Sequence, residues 1–186
     1  MHDDRRRWNE RHDATPAPSP RAPEALERWP ELASVLPRSG RGLDIACGTG
    51  AVALWLARRG LDVTALDVSD VAIGRLEAQA AVDGLSARID ARVVDLDDGL
   101  PADLVDLDLI VCQRFRDRTL YRPVMDHLAA GGLAVITVLS TVGAAEPGPF
   151  HAPADELSDA FGADERIEVL REFEGGGVAH VVARRR

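Results

Sequence analysis

A chain of 186 residues, 46% of them hydrophobic, has room for one domain with a substantial core and none for a second catalytic domain beside it. Its net charge of -9 argues against duplex or polyphosphate partners, which need a concentrated basic face. All 22 basic residues are arginine, and the absence of lysine removes Schiff-base catalysis, a phosphate-loop lysine and a lysine general base. No apolar run approaches a membrane span, and the basic N-terminus is followed by prolines rather than an apolar signal core, so a soluble cytoplasmic protein is expected. Cys47 and Cys112 fall at the ends of two predicted strands and are expected as buried thiols, too few for a disulfide framework.

In chain order, residues 1–23 form a charged segment, Asp3 to Asp13, and then a stretch from Thr15 to Pro23 whose four prolines forbid a continuing helix. This is an arm or lid, and residues 24–186 are expected as a single domain. Glu24 to Leu36 has apolar residues at helical spacing interrupted by Pro30, which predicts one kinked helix or two short ones. Leu43 to Ala46 is the first strand, and Ala51 to Arg59 a helix closed by Gly60. Leu61 to Leu66 is the second strand, and Ser69 caps a helix from Asp70 to Asp83 that Gly84 ends. Strands follow at Ile89 to Val94 and Asp106 to Cys112, then a helix from Arg118 to Ala130 before Gly131-Gly132. Leu133 to Leu139 is nearly continuously apolar, as a strand covered on both faces should be. A short helix, Ala154 to Phe161, precedes a hairpin of Ile167 to Phe173 and Val178 to Arg184. The fold class is therefore α/β: a Rossmann-like, doubly wound, seven-stranded, mostly parallel sheet with helices between its first five strands and a C-terminal antiparallel hairpin.

The first strand runs into Asp44-Ile45-Ala46-Cys47-Gly48-Thr49-Gly50, and the second ends in Asp67. Two glycines let the backbone approach a ligand closely, and a carboxylate some twenty residues downstream can hold both hydroxyls of a ribose. Gly48 to Ala53 also satisfies the dinucleotide pattern with alanine in its last place. An acid at Asp44 repels a pyrophosphate but suits a ligand carrying an ammonium and a sulfonium. The bland alternative is a plain strand-turn-helix connection with Asp44 as a helix cap.

Asp44 to Gly50 resembles motif I of the class I S-adenosylmethionine-dependent methyltransferases, Asp67 matches their ribose-binding acid, and the resemblance runs from about Arg41 to the C-terminus. It implies S-adenosylmethionine as cofactor and transfer of its methyl group to an acceptor by in-line displacement. The strand ends then supply the cofactor site: Asp44, Ala46, Cys47, Gly48 and Gly50 after the first, Asp67 for the ribose and Val68 against the adenine after the second. Asp95 for the adenine amino group and Leu96 follow the third, and the backbone of Cys112 and Gln113 takes the methionine end after the fourth. Asp95 also reads as an exposed turn acid beside Asp97 and Asp98. No metal is called for.

Alignment, desolvation and exclusion of water are the protein's main tasks in such a transfer, worth on the order of 7 to 11 kcal/mol. A thiol or chalcogen acceptor ionises near neutral pH; an alcohol calls for a base worth roughly 100 to 10,000-fold. The candidate bases are His151, in a proline-rich loop after the fifth strand, and His12 in the arm; His127 and His180 read as structural. Arg114, Phe115 and Tyr121 suit an anionic or planar acceptor, although neighbouring Arg116 and Asp117 also read as the start of a solvated helix, and Trp8 and Arg11 suit a lid. The chain lacks the Asn/Asp-Pro-Pro-aromatic motif of amino-methylating enzymes and the lysine-containing tetrad of ribose methylation, which points to a small-molecule acceptor and no nucleic acid. Small size and the Trp-Asn-Glu-Arg-His arm look like the tellurite-resistance and thiopurine branch, from which Ala51-Val52 departs. The alternatives are a non-catalytic adenosylmethionine-binding or regulatory protein, an NAD(P)-dependent oxidoreductase, and a structural interaction domain.

Overall fold

The computed structural model describes residues 2–14 and 17–186, so Thr15 and Pro16 of the predicted arm lie outside the described residues. Its elements are α1 (His2–Asp13), α2 (Ala25–Arg28), β1 (Arg41–Ile45), α3 (Ala51–Arg59), β2 (Asp62–Asp67), α4 (Asp70–Val82), β3 (Ile89–Val93), β4 (Leu107–Gln113), α5 (Tyr121–His127), β5 (Leu128–Leu139), α6 (Glu156–Gly162), β6 (Ile167–Gly175) and β7 (Val178–Arg185). The strands form one seven-stranded sheet in the order β3-β2-β1-β4-β5-β7-β6. The β1–β2, β2–β3 and β4–β5 pairs are parallel, while β7 runs antiparallel to both β5 and β6. This is the predicted fold class.

Local chemistry accounts for most boundaries. Gly60 ends α3 in a left-handed conformation (φ 110°), and its N–H caps the carbonyl of Ala57. Ser69 starts α4, its Oγ accepting from the N–H of Ala72 at 3.1 Å. The apolar, β-branched run of β5 is buried from Gly132 to Val138, with strands paired at both its edges and α2 and α5 in contact with it. Around Pro30 the predicted helical region divides into α2 and a 3₁₀ turn, Pro30–Ser34.

Two expectations fail. The helix expected through Ala130 is a 3₁₀ turn, Arg118–Leu120, followed by α5, which stops at His127; β5 begins at Leu128 and contains the glycine pair. A Cβ on Gly132 would lie 2.5 Å from the Leu107 carbonyl oxygen, so glycine permits the close approach of β4 and β5 where their register shifts. Leu128 pairs with Leu107 and Leu133 with Leu109, so Ala129 and Ala130 fall in the irregular stretch between the two pairs despite their helical propensity. Between β3 and β4 the expected helix is reduced to one 3₁₀ turn, Leu96–Asp98.

The chain divides into two compact units, Met1–Ala22 with Pro37–Gly99, and Pro23–Leu36 with Leu100–Arg186. In the first, Leu43, Ile45, Leu54, Leu56, Leu66 and Leu76 are fully buried around β1 and β2, and α1 packs against α4. In the second, Leu107, Leu109, Ile110, Val135, Val181 and Phe161 are fully buried, and α2 lies against β5 and β7.

Candidate functional site

The first unit brings the glycine turn and two strand-end acids together. Past β1, Ala46 (φ 52°) and Gly48 (φ 54°) turn the chain through the left-handed region, where a non-glycine residue such as Ala46 is strained. Gly50 has φ 86°, and a side chain there would collide with Leu76 of α4. The turn is pinned by the N–H of Cys47 donating to the Leu66 carbonyl at 2.9 Å. Asp67, buried at the end of β2, is held at both oxygens: Oδ2 accepts from the N–H of Gly48 at 2.8 Å and Oδ1 from that of Ser69 at 2.9 Å. Each oxygen keeps a further lone pair.

Asp44 is 2% exposed, and its Oδ2 has no hydrogen-bond partner. Burial pushes its carboxyl up to about 8; the Ala53 N–H works against that shift, and the nearby Asp67 charge adds to it. Cys47 is half-buried rather than fully buried as expected, with its thiol pushed up by burial and by the charges of Asp44 and Asp67. It is a thiol and not a nucleophilic thiolate. Val68 is half-buried after β2, and Leu96 is buried. Asp95 caps the 3₁₀ turn, Oδ1 accepting from the Asp97 N–H at 3.1 Å.

The arm's first part is the helix α1, His2–Asp13, and its His12 stands over the turn. A Cβ on Gly48 would meet His12 Cε1 at 3.3 Å, and His12 Nδ1 is buried without a partner. Burial lowers the His12 pKa; Asp67 opposes that shift, and Arg11 and Arg75 reinforce it. Trp8 stacks on His12 with ring centroids 5.8 Å apart, and the guanidinium of Arg11 lies 5.4 Å from the Trp8 ring centroid. Asn9 ties the arm to the start of α4: Oδ1 accepts from Ser69 Oγ at 2.7 Å and Nδ2 donates to Asp70 Oδ1 at 2.8 Å. Asn9 entered the sequence-based expectations only within the Trp-Asn-Glu-Arg-His arm, since a single amide carries no signal of which side chain it will bond.

In the second unit, Gln113 accepts the Glu24 N–H at Oε1 (2.8 Å) and donates through Nε2 to the Cys112 carbonyl (3.2 Å) and to Thr137 Oγ1 (3.3 Å). Thr137 in turn bonds His180 Nδ1 at 2.9 Å, and burial lowers the His180 pKa. Arg114, strained at φ 57°, pairs with Glu24 at 2.7 Å, while Phe115 is half-buried. Arg116 grips buried Glu156 with both arms, at 2.8 and 2.5 Å, and Tyr121 donates its hydroxyl to the same carboxylate at 2.8 Å. Arg116 therefore holds Glu156 below the usual carboxylate range, whereas burial and Glu156 push the Tyr121 phenol well above its ordinary value. His151 Nδ1 accepts the Gly148 N–H at 2.9 Å within its own loop. A cleft of about 800 Å³ in this unit is lined by Arg118, Tyr121, Arg122, Met125 and Glu156 among others. Among the described residues no cluster of His, Cys, Asp or Glu is arranged to hold a metal, and no helix is long and apolar enough to cross a membrane.

A family model described as a methyltransferase domain matches residues 43–132, just under half of the chain. A Bacillus subtilis protein described as a methyltransferase, YqeM, is 46% identical over 43 residues, 23% of this chain and 17% of that protein. The chain thus matches under a fifth of the length of such curated relatives. Among solved structures, the [4+2]-cyclase SpnF superimposes with a TM-score of 0.73 at 20% identity, over 100% of this chain and 93% of that one. TehB from Haemophilus influenzae gives 0.68 at 21% identity, covering 86% and 62%. An S-adenosylmethionine-dependent methyltransferase from Mesorhizobium loti gives 0.67 at 20% identity, covering 85% and 97%. At these identities the structural likeness is one of fold.

Proposed function

We propose that this chain, with a methyltransferase domain matched over residues 43–132 on the Rossmann-like fold of the class I enzymes, is an S-adenosylmethionine-dependent methyltransferase acting on a small-molecule acceptor. One observation carries the proposal. The two buried side-chain atoms without a partner among the described residues, Asp44 Oδ2 and His12 Nδ1, both belong to residues at the glycine turn. Buried polar atoms are nearly always paired, so two orphans at one turn mark a place where a ligand completes the hydrogen bonding.

The residues present fit the cofactor. Asp44 Oδ2 is an open acceptor for its ammonium group, and Asp67 has lone pairs for the ribose hydroxyls while two backbone N–H groups fix its orientation. Ala46, Cys47, Gly48 and Gly50 provide the close backbone, Val68 and Leu96 the apolar sides of the adenine site, and Asp95 its acceptor. By resemblance, Cys112 and Gln113 take the methionine end. When bound, S-adenosylmethionine supplies a methyl group already activated on sulfonium. What the chain contributes is positioning and dryness, with residues 1–23 as the lid, Trp8 and Arg11 within it, and residues 24–186 as the catalytic domain.

The acceptor is a small molecule rather than a nucleic acid, in keeping with the net charge of -9. A thiol or another chalcogen is favoured by the small size and the arm, with Arg114 and Phe115 as acceptor contacts. His151 is the base for an acceptor that needs one. A second proposal, cofactor binding without methyl transfer, is favoured by the commitment of Tyr121 and Arg116 to Glu156 rather than to an open acceptor site.

Calorimetric titration with S-adenosylmethionine, S-adenosylhomocysteine and NAD tests the class. Micromolar binding of both adenosyl ligands with NAD silent is expected, and Asp67→Ala should weaken it roughly tenfold or more. NAD binding alone overturns the assignment. A panel of thiol, selenite, tellurite, phenol and amine acceptors then decides the rest: transfer only to oxygen or nitrogen removes the chalcogen proposal, and no transfer to any acceptor supports binding alone.

A further inference from the structure

His12 is open to two roles, that of a base toward the acceptor and that of a contact to the cofactor. Its position favours the second. The ring atom nearest the Gly48 position is Cε1, the carbon between the two imidazole nitrogens, with Nε2 next at 3.9 Å. The Cε1–Nε2 edge of the ring therefore faces the turn, and Nδ1 lies more than 4 Å from the Gly48 Cβ position. Nδ1 is shielded from solvent and unpaired, an arrangement that costs free energy until something fills the bond.

The ring is also held where it stands. Trp8 stacks on it with an interplanar angle of 23°, and the helix that carries both is fastened to α4 on either side of His12. Asn9 bonds Ser69 and Asp70, and Arg75 donates to the Asp13 carbonyl at 2.6 Å. Ser69 is the residue whose N–H steadies Asp67 Oδ1, so the arm is anchored at the acid proposed for the ribose. A histidine kept only for packing does not require anchoring beside that acid with an unpaired nitrogen.

We propose that His12 is a cofactor-binding residue, closing the adenosyl site from the arm by hydrogen-bonding a ribose hydroxyl that Asp67 holds from the sheet. The chemistry of the two partners is complementary. A carboxylate only accepts, a neutral imidazole nitrogen accepts or donates according to its tautomer, and a hydroxyl does both, so each ribose oxygen can be satisfied from both sides. Burial, Arg11 and Arg75 favour the neutral ring, and Asp67 opposes them. The cofactor ammonium has its own partner in Asp44. The ligand class is thus a nucleoside with a free hydroxyl pair, and the inference rests on the adenosyl-binding proposal above.

The test is calorimetric, with S-adenosylhomocysteine as the probe. His12→Ala should weaken binding roughly five- to hundredfold, while the thermal midpoint without ligand stays level or rises as an unpaired atom is removed. His12→Asn, which keeps a polar atom near the Nδ1 position, should recover most of the loss. Against the 2′-deoxy and 3′-deoxy analogues of the probe, the His12→Ala penalty should shrink for one of the two; penalties equal to that with the parent probe for both overturn the ribose assignment. If wild type binds the probe and His12→Ala matches it, this inference falls alone. If wild type does not bind it, the class proposal falls and takes the inference with it.

Discussion

At Asp44, position and environment together set a measurable proton. The carboxyl is held at about 8 in the folded chain, against 3.8 ordinarily. Between those values the folded protein keeps a proton that the unfolded chain has released. Stability without ligand should therefore fall as pH rises from about 4 to about 8, by up to about 1.4 kcal/mol per pH unit from this group. Asp44→Asn should flatten that slope in denaturant titrations, and an unchanged slope rules Asp44 out as its source. The proposed seating of the cofactor ammonium at Oδ2 favours the ionised form. Adenosylhomocysteine binding near pH 7 should then release up to one proton, seen as a buffer-dependent binding enthalpy. The acid itself was legible in the sequence because it stands in a motif of fixed spacing. Its missing partner was not, and neither was the placement of His12 over Gly48, since both depend on how a polar arm docks.

Among elements, those whose ends carry their own chemical signal were the legible ones. Gly60 and Ser69 bounded α3 and α4 in the sequence and do so in the fold. The arm is the opposite case: α1 is polar apart from Trp8, with no apolar stripe to announce a helix, and Asn9 and Arg75 tie it to α4. The start of β5 was misread because Gly131-Gly132 normally signals a loop. There Gly132 permits a close approach of backbone, set against the carbonyls of Leu107 and Ala129. Gly132→Ala should cost about 2 kcal/mol or more, because those backbone oxygens have no flexible end to move aside. Urea unfolding measures it. A loss no larger than that of Gly74→Ala, where an added Cβ meets nothing within 4 Å, contradicts the packing account.

For the molecule as a whole, the number of strands and the terminal hairpin followed from the apolar runs and their spacing, since each strand must bury its face in one sheet, whereas the lateral order of the strands did not. The partners of Arg116 and Tyr121 were less legible, because a side chain's partner is set across long stretches of sequence: both meet Glu156 some 35 to 40 residues later. A chain ending before Val178 keeps β5 and β6 but loses the strand that pairs with both. It should aggregate rather than fold, as judged by light scattering and far-ultraviolet dichroism, and a soluble, cooperatively melting product contradicts this.

The order β5-β7-β6 also governs how the protein is made. A ribosome delivers β6 before β7, yet β7 occupies the place between β6 and the rest of the sheet. The sheet therefore cannot grow strand by strand as the nascent chain emerges. Until β7 arrives, the edge of β5 that it covers lacks its antiparallel partner, and an unpaired apolar strand edge is where a nascent polypeptide is prone to pair with another chain.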